Sequence, residues 1–567
     1  MNLLKKNLFL KKICLKKIFS WKKFFLTILI TAIFSLIYFI YYLVIPFKTF
    51  VPNAFTLAGF FKEKNYLVLV QNNSERRPSG GFITAYLEVS CFLGYCQKNI
   101  KDSYDIPAPK NQINPPYPLD EILSKDQYYQ GFVFRDANWS PDFPTSVKQI
   151  LHFYKKTNPK TINGVFTIDF TVIEKLFEIT GNIVIKEEEF NAQNIFHKMQ
   201  FYSKNIDLHS IKALHERKNI MKQIAPALLK NLLKKPKNYK KISNLIKNLL
   251  DNKHIQLYFL DKKLETKVKN QKWGWIFNPI SEDFLHINIA NIGGRKADRY
   301  LDPLYEYQVI FDEQNQAHAN LSITFDYNAT QGLYTDFYQA YVRVYVPKKI
   351  LNLKHWGDNK TPFKIESDLE ATSIGTLIHL WPQETQVLHF SYDLPPTVLP
   401  YEYNLDLIPI AGNFGEQWNI AVIAHNNDNF WQSDDFLVKE NLASYRNIIQ
   451  KNVTLKTELL KDKTPPVIIW QKFLDKNLIE ILWSEKLDPN DLKLENFFIK
   501  DKNINKKEIS ETPTIVSVQQ ENHKMTLQLE NISWQLEEHF SLTMKDLSDL
   551  SGNYIEPNLK EITLVQR

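Results

Sequence analysis

Only three cysteines occur in 567 residues, and no CxxC or closely paired histidine accompanies them, which argues against a zinc site. His197, His209 and His215 lack the H-E-x-x-H spacing or any other metal-ligand spacing and read as solvated or hydrogen-bonded side chains. Neither a G-x-S-x-G elbow nor a P-loop is present, so hydrolase and nucleotide-binding chemistry have no support. No solenoid-type repeat appears, and low complexity is confined to the N-terminal tail.

Acidic residues are missing from the first 23 positions, which carry eight lysines (Lys5, Lys6, Lys11, Lys12, Lys16, Lys17, Lys22, Lys23). Charge of either sign is missing from residues 24–45, a run long enough to span a hydrocarbon core of ~30 Å as a helix. Only Lys48 follows closely, so the positive-inside rule places the tail in the cytoplasm and everything after about residue 47 outside. Tyr38, Tyr41, Tyr42 and Phe47 mark the outer interface. Bulky residues run into Pro46 with no small-residue cleavage site, which favours an uncleaved signal anchor over a signal peptide. The tail lysines also account for the net charge of +8, because the remaining 62 Lys and Arg match the 62 Asp and Glu. A neutral exterior is no nucleic-acid footprint. The expected partner is the lipid bilayer, through residues 24–46.

Cys14 lies in the tail. Cys91 and Cys96, in SCFLGYC (90–96), sit where the pattern predicts a β-hairpin tip, and outside the membrane they would close a small disulfide.

About 520 exterior residues imply roughly three domains. Residues 47–300 mix strands and helices. Residues 66–70 and 81–89 read as strands, and 101–131, with five prolines, as a long exposed loop. Residues 165–168, 170–179 and 183–185 read as strand, helix and strand in a β-α-β unit, with Gly181 closing the helix. Two amphipathic helices follow, one with Ile220, Ile224, Leu228 and Leu232, the other with Ile242, Leu245, Ile246 and Leu249. Residues 301–435 alternate at strand period in short segments, which argues a β-sandwich. Residues 436–463 read as a helical or extended connector, and 464–567 as a second all-strand module. The expected fold is therefore multidomain α+β: one transmembrane helix, a mixed α/β domain and two β-sandwiches.

Three segments carry the local signals. NNSERRPSGGFI (72–83) follows a predicted strand; Gly80 and Gly81 free the backbone for a tight turn, and Arg77 is a fork suited to carboxylate or phosphate. RDANWSPDFP (135–144) sets Arg135, Asp136 and Asp142 around a Trp-anchored turn, with Trp139 and Phe143 reading as core plugs. ANIGGRKADRY (290–300) supplies a second Gly-Gly turn. Arg77 paired with Glu75, Asp136 or Asp142 to hold two loops together is as good a reading as ligand binding.

These segments resemble the signatures of a bacterial family catalogued as domain of unknown function 4012, with Arg76 in place of an aliphatic residue, Ser79 in place of Thr and Asn182 in place of Pro. The resemblance spans about residues 65–425 and implies a membrane-anchored, exported body without implying an activity. Residues 464–567 resemble a bacterial Ig-like domain of the surface-layer type through Thr464-Pro465-Pro466, ILWSEKLD (481–488) and LSDLSGN (547–553). That resemblance implies a spacer or stalk.

The layout of anchor, Arg-bearing loop and β-α-β unit is also similar to the LytR–CpsA–Psr phosphotransferases, which act on polyprenyl-pyrophosphate-linked glycans. Under that likeness Arg77 and Arg217 would face the pyrophosphate, and Asp136 or Asp142 would hold Mg²⁺. The chain departs from it at Arg77-Pro78-Ser79-Gly80, where the family's acid is missing, and at Lys222-Gln223. Two functional readings follow. One is a cell-envelope protein for assembly or surface interaction, partnered by an envelope glycopolymer or surface protein; the other is a glycan phosphotransferase. Candidate ligand-binding residues are Arg77, Gly80, Gly81, Arg135, Asp136, Asp142 and Arg217.

Overall fold

The computed structural model describes residues 47–564 except 110–112, 124–130, 205–222, 225, 229, 233–237, 275–276, 333, 426–428, 440, 462–464, 476, 502–512, 522, 531–539 and 550–551. No helix among the described residues is long and apolar enough to cross a membrane. The expected anchor at 24–46 lies outside them.

The first unit is built on strands β1 (Lys64–Arg77), β2 (Gly80–Phe92), β3 (Tyr95–Asp102), β4 (Gly164–Asp169) and, later in the chain, β7 (Ile255–Phe259), in the order β3-β2-β1-β4-β7. β1 and β4 are parallel and the other pairs antiparallel. Leu67 and Leu69 point from β1 into a core with Ile83 of β2 and Val165 of β4. Helix α1 (Phe143–Thr157) covers that core with Val147, Ile150, Leu151 and Tyr154, its start fixed by Asp142, whose carboxylate accepts from the Thr145 N–H at 2.9 Å.

The expected β-α-β unit is not formed. Helix α2 (Phe170–Thr180) follows β4 and ends at Gly181 (φ +78°), but the next strand, β5 (Ile183–Ile185), does not rejoin the sheet. It turns through Lys186 and Glu187, both at positive φ, and pairs with β6 (Glu188–Phe190) as a separate hairpin. Three residues with an exposed Val184 cannot bury both faces as a parallel central strand must. The Pro-rich stretch also differs from expectation. Its described part is docked at two points, with Ile106 and Leu119 buried in the same core, while Tyr104, Pro107 and Asn114 stay exposed. Of the two amphipathic helices, α3 (Tyr239–Asp251) buries Ile242 and Leu249, and Ile224 and Leu228 of the other are buried against α2.

The second unit is a sandwich of two seven-stranded sheets. Its strands are β8 (Asp283–Asn291), β9 (Leu301–Phe311), β10 (Ala317–Tyr327), β11 (Tyr338–Pro347), β12 (Leu351–Gly357), β13 (Lys364–Asp368), β14 (Ala371–Leu380), β15 (Thr385–Asp393), β16 (Tyr403–Leu407), β17 (Glu416–Ile423), β18 (Asn429–Gln432), β19 (Leu437–Lys439), β20 (Leu442–Ile449) and β21 (Val453–Lys461). One sheet runs β12-β15-β10-β9-β17-β20-β19, the other β13-β14-β11-β8-β16-β21-β18. The alternation is direct in β9, where Tyr305, Tyr307 and Val309 face the core while Glu306 and Gln308 face away. A valine buried as fully as Val309 contributes about 1.5–3 kcal/mol by leaving water.

The sandwich therefore extends beyond 301–435 at both ends. It opens at β8, and residues 436–463, expected as a connector, contain β19, β20 and β21. β19 forms a sheet edge and β20 and β21 lie one strand in from an edge, and Ala443, Leu455 and Leu459 join the core.

The C-terminal segment forms a four-stranded and a three-stranded sheet over one core that includes Trp483, Phe497, Leu527 and Leu542.

Candidate functional site

Gly80 and Gly81 are fixed by geometry. The first signature segment is not a loop after a strand but the end of β1 and the start of β2, turned through Pro78 and Ser79. Gly80 has φ +127°, and a Cβ there would fall 2.2 Å from the Gln71 side-chain oxygen; one on Gly81 would fall 2.3 Å from the Asn72 backbone. The glycines serve close backbone approach, and no ligand is needed to explain them.

Arg77 points inward and is 6% exposed. Its guanidinium lies 3.6 Å from Asp136 and 3.5 Å from Glu75, donates to the carbonyls of Arg76 and Asn291, and sits 5.0 Å over the Phe82 ring. Burial lifts the Glu75 carboxyl above its ordinary range against the pull of Arg77. Asp142 is not part of this group. It caps α1 and accepts from the Phe277 N–H at 3.2 Å. Arg135 lies 4.6 Å over the Tyr104 ring, and Arg217 lies outside the described residues. Of the candidates, the structure thus brings together Arg77 and Asp136 beside the Gly80-Gly81 turn. Cys91 and Cys96 stand opposite each other on β2 and β3 with their sulfurs bonded at 2.04 Å.

Beside Arg77 lies a charged knot that joins the two units. Arg76 is 1% exposed; its N–H donates to Asp298 at 2.9 Å and its Nε lies 3.8 Å from the same carboxylate. Asp298 also accepts from Tyr338 at 2.7 Å and Asn291 at 2.7 Å. Glu416, opening β17, is wholly buried near Arg76 and the Trp418 indole, and among the described residues neither carboxylate oxygen has a partner in good geometry. Burial pushes its carboxyl up to about 8, and Arg76 offsets only part of that rise. The same joint is apolar at its centre, where Ala290, Ile292, Tyr341, Ile408 and Ala411 of the sandwich share a core with Leu67, Trp139 and Phe143.

A cleft of about 660 Å³ opens next to this joint. Trp139 and Ser140 of the second signature segment, Tyr117 of the Pro-rich stretch, and Tyr341, Lys364 and Asp368 of the sandwich line it. Arg343 of β11 lies at its floor, 8% exposed, donating to the Trp139 carbonyl at 3.1 Å and to Asn288 at 3.3 Å. Its Nε has no partner among the described residues. Tyr117 packs edge-on against Tyr341 at 5.4 Å, and the Lys364 ammonium lies 4.2 Å over the Tyr117 ring. Carboxylates of Glu366 and Asp368 stand with these cations, so the wall offers both signs of charge around aromatic surface. Sequence reasoning missed this site. The available signal was Arg343 itself, an arginine inside the apolar strand YVRVYV (341–346).

Among the described residues no group of three or more His, Cys, Asp or Glu side chains is placed to hold a metal ion. A sequence profile described as "Protein of unknown function (DUF4012)" matches residues 62–202, which contain the first two signature segments. No curated protein matches the chain. Similar solved structures include the N-terminal part of the bacterial S-layer protein SbsC, 16% identical at a TM-score of 0.16 over 18% of this chain and 24% of that one. The chain thus spans about a quarter of that structure. Protein gbs0355 from Streptococcus agalactiae is 13% identical at a TM-score of 0.26, over 41% of this chain and 80% of that one. The M1 zinc metallopeptidase from Deinococcus radiodurans is 9% identical at a TM-score of 0.17, over 32% and 46%. At these scores the likenesses assign no function.

Proposed function

We propose that this chain is a membrane-anchored cell-envelope protein that acts by binding, holding a surface partner in the cleft beside the signature turns. The observation that carries the reading is the cleft. Residues of the Trp139-Ser140 turn and of the sandwich meet there over a buried arginine, so both units must be in place for it to exist. Its mixed charge and aromatic wall suit an extended partner of mixed polarity, such as a segment of a surface protein. The anchor rests on the charge-free run 24–45 and its lysine-rich flank. The terminal sandwich acts as a spacer in this reading.

The phosphotransferase alternative needs Arg77 free to meet a pyrophosphate and an aspartate free to hold Mg²⁺. Here Arg77 is held by two carboxylates and two carbonyls, and Asp142 is spent on a helix start. The geometry favours binding over chemistry. A photo-crosslinking residue placed at Tyr117 in intact cells should capture an envelope component, whereas one at the exposed Val184 of the β5–β6 hairpin should not. Identical adducts from both positions would overturn the proposal.

A further inference from the structure

The sandwich has a second open face, on the sheet that does not line the cleft. We infer that the outer surface of the sheet containing β9 and β10 is a platform for a neutral saccharide chain. The inference does not rest on the cleft.

A trough of about 380 Å³ runs over this sheet. Strand pairing sets its side chains in rows. In one row Trp356 of β12 stands opposite His389 of β15, His389 opposite Ser322 of β10, Ser322 opposite Glu306 of β9, and Glu306 beside Asn419 of β17. The next row carries Asn320 opposite Gln308, with Ala421 beside it. Neighbouring strands lie about 4.8 Å apart, and side chains two residues apart on one strand about 6.6 Å, so the rows form a regular grid of polar groups over the face.

Three features favour a saccharide. First, the floor is made of the amides of Asn320, Gln308 and Asn419 and the Ser322 hydroxyl, with one carboxylate, Glu306; Lys354 and Arg446 stand only at the outer ends of the two rows, opposite Ser391 and Asn419. A centre of amides and a hydroxyl around one carboxylate suits a neutral polyol, and Glu306 sets that centre against a phosphate. Second, Asn320, Gln308 and Asn419 set three side-chain amides on adjacent strands, each able to donate to and accept from a hydroxyl. Third, the trough is closed at one end by the Trp356 indole. That ring is 52% exposed and held against His389 at 5.2 Å with planes 19° apart. A fixed, exposed indole beside hydrogen-bonding groups matches a pyranose ring, which is apolar on its C–H face and polar at its edge.

The test is affinity electrophoresis of the full chain in detergent, through native gels carrying the neutral polymers dextran, mannan, hydroxyethylcellulose or pullulan, with a heparin gel as the polyanion control. At least one should retard the protein. Trp356→Ala should weaken that retardation about tenfold in apparent Kd, Trp356→Phe should restore part of it, and Asn320→Ala should weaken it, all with unchanged melting temperature. No retardation by any of the four, retardation that survives Trp356→Ala, or retardation by heparin alone would overturn the inference. Cleft substitutions such as Lys364→Glu should leave retardation unchanged, which separates failure here from failure of the cleft reading.

Discussion

Glu416→Gln should remove a pH dependence that the wild-type protein carries at the joint between its two main units. The wild-type carboxyl is wholly buried, its oxygens have no partner in good geometry among the described residues, and burial lifts it from 4.5 to about 8. In the unfolded chain it ionises near its ordinary value. A carboxyl raised by folding contributes stability that is complete below about 4.5 and lost as pH rises towards 8. At about 1.4 kcal/mol per pH unit across that window the ceiling is ~5 kcal/mol, and relaxation around the charge would leave about half of it. The amide of the variant keeps the shape of the acid and cannot ionise. Asp283, raised to about 7, and Lys253, lowered to about 8, bend the absolute curves but cancel in the difference between variant and wild type. Urea unfolding of both proteins at pH 5, 6, 7 and 8 should therefore show the variant gaining on the wild type by ~2–3.5 kcal/mol as pH rises. Parallel curves, or a variant that falls behind with rising pH, would refute the placement of Glu416 as a buried, unsatisfied acid.

Protease added to intact cells stripped of any outer barrier should shave the body and leave the lysine-rich tail protected; a soluble chain starting near residue 47 would contradict the uncleaved anchor. Cys91→Ser with Cys96→Ser should lower stability by at most ~2–3 kcal/mol, because the closed loop is short, and non-reducing peptide mass spectrometry of the wild type should find the linked pair. Residues 464–567 should fold alone on their own core, giving a cooperative melt, whereas a fragment ending at residue 380 should not; an unfolded 464–567 fragment would move the boundary.

Where local pattern and burial agree, the sequence is readable. β9 and β10 alternate cleanly because one face meets the core and the other solvent. β8 carries the same alternation, with Leu285, Ile287 and Ile289 in the sandwich core, but its other face, with His286 and Asn288, is buried under the α/β unit, so all nine of its residues are hidden from solvent. β19 to β21 resemble a connector since their outward residues Leu437, Val438 and Ile448 are apolar and exposed, which blurs the period. The destination of β5 is unreadable for another reason: a three-residue strand carries no mark of its partner. At the site, Gly80 and Gly81 announce a tight turn correctly. The sequence does not say that Arg77 finds Asp136 across the turn while Asp142 caps a helix. Nor does it say that Arg76, read as a substitution, anchors the joint through Asp298, a residue 222 positions away. Those partners meet only through the packing of one unit on the other.

The sharpest test of binding without chemistry is Arg77→Ala, measured for stability and for Mg²⁺-dependent binding of a polyprenyl pyrophosphate. Removing the guanidinium leaves Asp136 and Glu75 buried without their cation, at a cost of about 3–5 kcal/mol. The account predicts that the variant melts well below the wild type, and that the wild type itself shows no Mg²⁺-dependent binding of the lipid. Binding by the wild type that disappears in a variant of unchanged stability would contradict it.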